Sequence, residues 1–332
     1  MASDHSLVAV IDFGTTYSGY AFSTRSDYKT DPLKIHANQA WNAGGRQLLS
    51  LKTPTVLLLD KNKEFVSFGY EAENQYSDLM IEQEHEEYYY FHRFKMKLHK
   101  NIHLSAATVI EDITGKSALA MDVFAISIQA LKDHLIEELD KKGTTMTVKD
   151  IRWVLTVPAI WTDAAKQFMR KSAEKAGIPD ENLLLALEPE AASIYCQYLP
   201  TDKLNGADEG FSMAEVGPQY MIIDVGGGTV DVTAHEKQQD GKLKELCKAI
   251  GDACGGTSID NEFFQLMVKI FGAPLMNSLS ENDPSAYLFR EFETVKRTIN
   301  PKKSGKISLS LYILCARRIL GKIYLALCRL VP

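Results

Sequence analysis

The stretch Ile223-Asp224-Val225-Gly226-Gly227-Gly228-Thr229-Val230-Asp231 decides how the rest of this chain is interpreted. The apolar run at 220–223 predicts a buried strand, which an acidic residue and three glycines bring to an end. Glycines allow a tight turn and let backbone N–H groups approach a ligand. Such groups bind phosphate, and the two aspartates favour a divalent cation beside it. The stretch therefore predicts a metal–nucleotide loop, with a simple glycine-rich hairpin turn as the alternative.

A second copy of the pattern lies near the N-terminus, in Val10-Ile11-Asp12-Phe13-Gly14-Thr15-Thr16-Tyr17-Ser18. Each copy predicts a strand, a turn of the size that holds a phosphate, and a second strand. The copies start at Asp12 and Asp224, far apart in the chain. This spacing predicts two lobes that each contribute one phosphate loop to a nucleotide held between them.

Length and composition indicate a soluble globular protein. The chain has 332 residues, which suggests about two domains. Its net charge of −6 gives no general sign of nucleic-acid or anionic-membrane binding. The five cysteines form no CxxC pair, which disfavours a zinc site or a disulfide framework. Reduced thiols and a short polar N-terminus without room for a signal peptide lead us to expect a cytoplasmic protein without a membrane span.

Strands and helices are expected to alternate along the chain. Apolar runs predict strands at 7–13, 17–22, 54–59, 65–68, 151–157, 183–187, 220–223 and 243–250. Periodicity and capping residues predict helices at 71–98, 122–143, 163–176, 188–198, 258–271 and 284–300. This alternation is typical of an α/β fold with a largely parallel sheet.

Five motifs, in order over residues 7–300, resemble those of the heat-shock protein 70 family. The two phosphate motifs are joined by connecting motifs like Thr156-Val157-Pro158-Ala159-Ile160-Trp161 and Glu188-Pro189-Glu190-Ala191-Ala192, and Glu293-Thr294-Val295-Lys296-Arg297-Thr298 looks like the family's adenine helix. Phe94-Lys95-Met96-Lys97-Leu98 favours the divergent branch called heat shock 70 kDa protein 12. The resemblance implies an actin-like (ribonuclease H-like) ATPase fold, with two lobes of mixed, mostly parallel sheets around a nucleotide cleft.

The resemblance also implies a set of ATP and Mg²⁺ contacts. Phosphates would be bound by Gly14, Thr15, Thr16, Tyr17, Gly226, Gly227, Gly228 and Thr229. The metal's water shell would be held by Asp12, Asp224 and Glu188, and catalysis would involve Lys95, Glu188, Asp224 and Asp231. Adenosine would be contacted by Glu293, Lys296, Arg297 and Asn300, beside the turn at Gly255 and Gly256. Phosphoryl transfer needs such positioning, metal and positive charge more than covalent chemistry.

The sequence also departs from the family pattern. Lys95 is the best match to the family's catalytic lysine, with Arg93 and Lys97 as rivals. We expect a first lobe at 1–200, a linker at 201–218, an incomplete second lobe at 219–313 and a non-homologous tail at 314–332. The second glycine-rich adenosine loop of the family is not found, so a C-terminally truncated domain is expected.

The resemblance implies an ATP-binding, chaperone-like protein, with slow hydrolysis that opens and closes the lobes. One alternative is an interaction protein that binds nucleotide but has lost turnover. The other is a sugar or acetate kinase of the same superfold. The expected partners are ATP or ADP and protein clients or co-chaperones, with no nucleic acid, and the chain is expected to be a monomer.

Overall fold

The structure, a computed structural model, describes residues 5–38, 41, 51–99, 104–199, 216–217, 219–282, 285–299, 302 and 308–309. Its strands are β1 Leu7–Asp12, β2 Tyr17–Thr24, β3 His36–Ala37, β4 Thr53–Pro54, β5 Val56–Leu59, β6 Phe65–Phe68, β7 Tyr89–His92, β8 Val109–Glu111, β9 Ser117–Leu119, β10 Ile151–Val157, β11 Leu183–Leu187, β12 Gln219–Val225, β13 Val230–Lys237 and β14 Leu243–Asp252. Its helices are α1 Arg25–Thr30, α2 Tyr70–Glu82, α3 Ala120–Lys141, α4 Asp163–Lys175, α5 Glu188–Cys196, α6 Gly256–Phe271, α7 Ala273–Asn282 and α8 Ser285–Lys296.

The main sheet has the strand order β11-β10-β1-β2-β3, with β4 also paired to β2. Parallel pairing joins β1 to β10 and β10 to β11, while β1 and β2 form an antiparallel hairpin. The carboxyl ends of β1, β10 and β11 therefore meet at one edge of the sheet, where α/β folds place their ligands. Asp12, Val157 and Leu187 are the last residues of these three strands.

Helices α3 and α4 pack with the main sheet around the hydrophobic core. Apolar residues at intervals of three and four predict the helix at 122–143, and the stripe that they form on α3 is buried: Phe124, Ile128, Leu131, Leu135 and Leu139. Each such fully buried side chain contributes roughly 1.5–3 kcal/mol relative to an exposed one. The ring of Phe13, the first residue after β1, packs against Phe94 and Phe124, with centroids 6.0 and 5.7 Å away. The core thus fixes the chain at the edge of the sheet.

Strands β12, β13 and β14 form a separate antiparallel sheet in that order. Its central strand buries alternate residues, Asp231, Thr233 and His235. Helix α5 packs on this sheet, and Ser193 Oγ and Tyr220 Oη lie 2.8 Å apart. The buried face of β13 is therefore polar along most of its length.

Contacts divide the chain into two compact units, Met1–Asn74 with Glu87–Gly255, and Gln75–Glu86 with Gly256–Pro332. In the second unit, α6, α7 and α8 pack around Leu275, Met276 and Leu288, and the rings of Phe263 and Phe292 stack 3.8 Å apart. The predicted linker at 201–218, except residues 216 and 217, and the tail at 314–332 lie outside the described residues. The predicted lobe boundaries stay a prediction.

Most predicted elements are confirmed, several of them to within a residue or two. The helix predicted over 71–98 is wrong beyond Glu82, because Tyr89–His92 forms β7 and pairs with β5. Aromatic residues favour strands, and the run of tyrosines favours a strand here more than the flanking charged residues favour a helix. Helices α1 and α7 were not predicted. In the part of the chain that the structure describes, no helix is both long and apolar enough to span a membrane.

Candidate functional site

The first glycine loop, residues 13–16, joins β1 to β2 directly after Asp12. The Gly14 N–H donates to Ser18 Oγ at 3.1 Å, and Thr55 Oγ1 donates to the Gly14 carbonyl at 2.9 Å. A Cβ atom on Gly14 would lie 2.1 Å from the carbonyl oxygen of Tyr17. The loop is therefore held in a shape that requires glycine at this position.

The second glycine loop, residues 226–229, joins β12 to β13. The Gly226 N–H donates to the Thr229 carbonyl at 2.9 Å, which closes the turn. The register of the two strands places Asp224 opposite Asp231, one on each side of the loop. Thr229 Oγ1 donates to Asp231 Oδ2 at 3.3 Å. The loop thus carries an acidic pair at its base.

The two glycine loops contact each other. A Cβ atom on Gly227 would lie 2.1 Å from Thr16 Oγ1, and one on Gly228 would lie 2.6 Å from Thr15 Oγ1. The threonine hydroxyls of the first loop therefore face the bare backbone of the second. Because these positions lack side chains, the two loops come into direct contact.

A third glycine turn supports the second loop. The Gly255 N–H donates to the Gly228 carbonyl at 3.3 Å. A Cβ atom on Gly255 would lie 2.5 Å from the Gly226 carbonyl oxygen. Gly256 is the first residue of α6. The backbone at Gly255 therefore approaches the second glycine loop too closely for a side chain.

Lys95 forms a buried ion pair with Glu188, with Nζ and Oε1 2.8 Å apart. The Lys95 ammonium also lies 5.2 Å from the ring centroid of Trp161. Glu188 is the first residue of α5 and follows β11 directly, with a proline next to it that favours the first turn of a helix. The junction of strand and helix thus positions this carboxylate at the edge of the sheet.

The three candidate cations around the 3₁₀ helix Phe94–Leu98 differ in their placement. Lys95 is only 3% exposed and its ammonium contacts Glu188, whereas the side chain of Lys97 is exposed. Arg93 precedes the helix in a left-handed conformation, with φ of 53°. Of the three, the structure brings Lys95 to Glu188.

A second lysine, which no sequence motif signals, also lies at the site. Lys52 Nζ forms an ion pair with Asp12 Oδ2, and Thr156 Oγ1 donates to Asp12 Oδ1 at 3.1 Å. Forty positions separate Lys52 from Asp12, so no local motif signals the pair. Only the pairing of β4 with β2 brings the residue before β4 to the first glycine loop.

Of the predicted adenosine residues, Glu293 and Lys296 lie on α8 and Arg297 follows its last residue, all in the second compact unit. Lys296 Nζ lies 2.8 Å from Asp260 Oδ1 and 2.5 Å from Glu293 Oε2. Arg297 is paired with Glu293 at 2.8 Å. Burial alone would raise the pKa of Glu293, but hydrogen bonds from both cations lower it on balance. Asn300 lies outside the described residues.

Comparison with known proteins identifies the family. The sequence model of the family described as Hsp70 protein matches residues 70–322. This chain belongs to the heat-shock protein 70 family. Human heat shock 70 kDa protein 12B is 38% identical over 356 residues, and human heat shock 70 kDa protein 12A is 36% identical over 354 residues. Each alignment covers 92% of this chain but 51% and 52% of the relatives, so the chain spans about half their length.

Membership of the heat-shock protein 70 family confirms the predicted fold class and the resemblance to the branch of protein 12. The fold is the actin-like ATPase fold of the family's nucleotide-binding domain, with mixed sheets in which β1, β10 and β11 are parallel. The two glycine loops follow β1 and β12, and Glu188 follows β11.

Charges around the first loop stabilise Asp12 in its ionised form. Burial alone would raise the pKa of Asp12, but the ammonium of Lys52, together with Lys95 and the Thr156 hydroxyl, lowers it on balance. Asp12 therefore stays a carboxylate well below neutral pH.

Three other carboxylates near the glycine loops, Glu188, Asp224 and Asp231, have pKa values shifted in the opposite direction. Burial raises the pKa of Glu188 in spite of Lys95, and burial with the charge of Asp12 raises the pKa of Asp224. Burial and the charge of Glu188 raise the pKa of Asp231 to about 6. These acids repel one another, so a cation at the site would relieve the repulsion.

The donor set fits a hard divalent cation held through water. Among the described residues, no three His, Cys, Asp or Glu side chains converge closely enough to ligate a metal ion directly. Mg²⁺ usually keeps several waters and takes one or two carboxylates together with substrate phosphates. Asp12, Asp224 and Glu188 offer carboxylate oxygens for such an arrangement.

Proposed function

We propose that this chain binds Mg·ATP through the two glycine loops and hydrolyses it slowly. The observation that carries the proposal is the contact between the loops, with Thr15 and Thr16 facing Gly228 and Gly227. Backbone N–H groups in such loops bind phosphate, and glycine allows the approach. Carboxylates for the metal and a buried lysine surround the loops.

The carboxylates and the buried lysine near the glycine loops each have a proposed role. Mg²⁺, when bound, would neutralise the phosphates and orient them. Asp12, Asp224 and Glu188 would hold its water shell, and Asp231 would accept a hydrogen bond from the attacking water. Lys95 would stabilise negative charge that develops on the transferred phosphoryl group.

The buried Lys95–Glu188 pair supports slow turnover. With Nζ 2.8 Å from Oε1, the ammonium must weaken this contact before it can serve a phosphate. Breaking a buried ion pair is costly when no new partner replaces the old one. The same observation favours a second candidate function, a nucleotide-binding interaction protein without turnover.

Other parts of the proposal rest on the family resemblance alone. Glu293, Lys296, Arg297 and Asn300 are proposed to contact adenosine, with Gly255 and Gly256 at its edge. We also propose a chaperone-like role in the cytoplasm, in which nucleotide state biases the binding of protein partners.

Calorimetry with Mg·ATP and Mg·ADP, together with a phosphate-release assay, tests the proposal. We expect binding by the wild-type chain and a low rate of phosphate release. Lys95→Met should bind within about threefold of wild type yet lose release by 10²-fold or more. Lys97→Met, a substitution of the exposed neighbour, is the matched control and should behave as wild type.

The outcomes separate the two candidate functions. Binding without any release from the wild-type chain would support the interaction protein and contradict the ATPase. Absence of binding to both nucleotides would contradict both.

A further inference from the structure

Lys52 is held at the first glycine loop by backbone pairing on its C-terminal side. Thr53 pairs with Ser18 in β2, and the Thr55 N–H donates to the Thr16 carbonyl at 2.9 Å. The stem of Lys52 lies beside Gly19, where a Cβ atom would be 3.1 Å from Lys52 Cγ. The side chain is thereby directed to Asp12, the residue that precedes the loop.

Lys52 and Lys95 each pair with a carboxylate of the cluster, but their surroundings differ. The Lys95 side chain is 4% exposed, while that of Lys52 is 49% exposed and its partner Asp12 is 38% exposed. An ion pair open to water is weak and exchanges easily, whereas a buried pair does not. The half-exposed ammonium of Lys52 can therefore leave its carboxylate more easily than the buried ammonium of Lys95 when a better partner arrives.

Two charges would compete with this pair if the proposed function holds. A divalent cation near Asp12 would replace the ammonium as the partner of the carboxylate. The polyphosphate in the adjacent glycine loop would in turn offer the ammonium several anionic oxygens. Lysine binds phosphate as a mobile point charge, a role that suits its flexible stem.

We propose that Lys52 is a second phosphate-binding cation of this site, which rests on Asp12 and moves to the polyphosphate when Mg·nucleotide binds. This inference rests on the proposed nucleotide function. It assigns the exposed lysine to binding and leaves the buried Lys95 for the chemical step. Local sequence could not reveal this division, because Lys52 lies outside both phosphate motifs.

Calorimetry on Lys52→Met tests the role directly. Methionine keeps the unbranched stem beside Gly19 and removes only the ammonium. We expect Mg·ATP and Mg·ADP to bind about tenfold more weakly, because a charge-assisted hydrogen bond is lost. Adenosine, which has no phosphate, should bind with unchanged affinity. Lys34→Met is the matched control, since Lys34 also forms a surface pair with an aspartate, Asp27, and should leave all affinities unchanged.

Adding Lys52→Met to the variant Asp12→Asn distinguishes a contact between Lys52 and phosphate from electrostatic screening of Asp12 by Lys52. In Asp12→Asn the carboxylate that Lys52 would otherwise neutralise is gone. If Lys52 contacts phosphate, adding Lys52→Met to Asp12→Asn should still weaken Mg·ATP at least fivefold. If the second substitution has no effect in that background, Lys52 only screens Asp12 and the inference is overturned.

The two proposals fail in different ways. If the wild-type chain binds no nucleotide, the proposed function fails and the inference fails with it. If the wild type binds but Lys52→Met binds Mg·ATP as tightly, only the inference fails. Thermal unfolding of the metal- and nucleotide-free variants shows whether a weakened affinity reflects loss of the fold.

Discussion

Asp231 lies on the buried face of β13, where burial and the charge of Glu188 raise its pKa to about 6. The folded protein therefore keeps this proton up to about pH 6, while the unfolded chain releases it near pH 3.8. Because the unfolded state binds fewer protons between these values, stability falls as pH rises through them. We expect Asp231→Asn to raise the free energy of unfolding at pH 7.5 by about 1–2 kcal/mol, a gain that shrinks towards pH 5.

Chemical denaturation at pH 7.5 and pH 5 in nucleotide-free buffer measures this difference. Asp240→Asn is the control, because hydrogen bonds to Lys242 lower the pKa of this exposed aspartate. It should change stability little, and in the opposite direction. An equal gain for Asp231→Asn at both pH values would show that the charge of Asp231 is not what destabilises the fold.

Gly255 provides a second test at the residue scale. A Cβ atom there would lie 2.5 Å from the Gly226 carbonyl oxygen and 2.8 Å from the Gly227 carbonyl carbon, both of which are backbone atoms. Backbone cannot rotate away as a side chain can, so we expect Gly255→Ala to cost about 1–3 kcal/mol of unfolding free energy. Gly226→Ala, whose Cβ would meet only the Thr229 carbonyl oxygen at 3.3 Å, should cost less. Equal losses in denaturant titrations would contradict the argument.

At the scale of secondary structure, β13 buries polar atoms that the described residues leave without hydrogen-bond partners: Asp231 Oδ1, Thr233 Oγ1 and His235 Nδ1. Such atoms lower stability because they lose water without replacing it. The strand that leads away from the second glycine loop is therefore held by its pairing with β12 and β14, and less by its buried face.

Thr233→Val tests this reading of β13. We expect the variant to be as stable as the wild type or more stable by up to about 1 kcal/mol, because valine removes an unsatisfied hydroxyl at similar size. Thr156→Val is the matched control, since this buried β10 threonine donates to Asp12 at 3.1 Å and its loss should destabilise the fold. Thermal unfolding of both variants without nucleotide gives the comparison. Destabilisation by Thr233→Val as large as that by Thr156→Val would show that water or another group satisfies the hydroxyl.

At the scale of the whole molecule, a ligand that binds only the folded state stabilises it by mass action. If the proposed function is correct, Mg·ATP at about 100 times its dissociation constant should add about 2.7 kcal/mol. We expect the midpoint of thermal unfolding to rise by several degrees, and by less when a chelator removes the metal. Adenosine at the same concentration is the control for effects of the base alone. An unchanged midpoint at millimolar Mg·ATP would count against nucleotide binding.

Much of the fold could be predicted because its signals are local. Strands β10 and β11 were predicted at their observed bounds, since mainly apolar runs ended by Pro158 and Glu188-Pro189 leave few alternatives. The helix at α3 was predicted from another local signal, the spacing of its apolar residues at intervals of three and four. Strand β7, within the segment 71–98, was not predicted. The charged residues of that segment indicate a helix locally, whereas Tyr89–His92 pairs with β5, at least 30 positions earlier in the chain.

Local patterns also predicted the candidate site as two glycine loops with acidic residues beside them, because glycine allows a tight turn after a strand and carboxylates suit a divalent cation. Only the tertiary structure decided which cations meet those acids. Lys95, and not Lys97, reaches Glu188, and Lys52 reaches Asp12, because packing of the 3₁₀ helix and pairing of β4 with β2 join residues far apart in the chain. Charge pairing across such distances depends on where the backbone places each side chain, and neighbouring residues do not encode that.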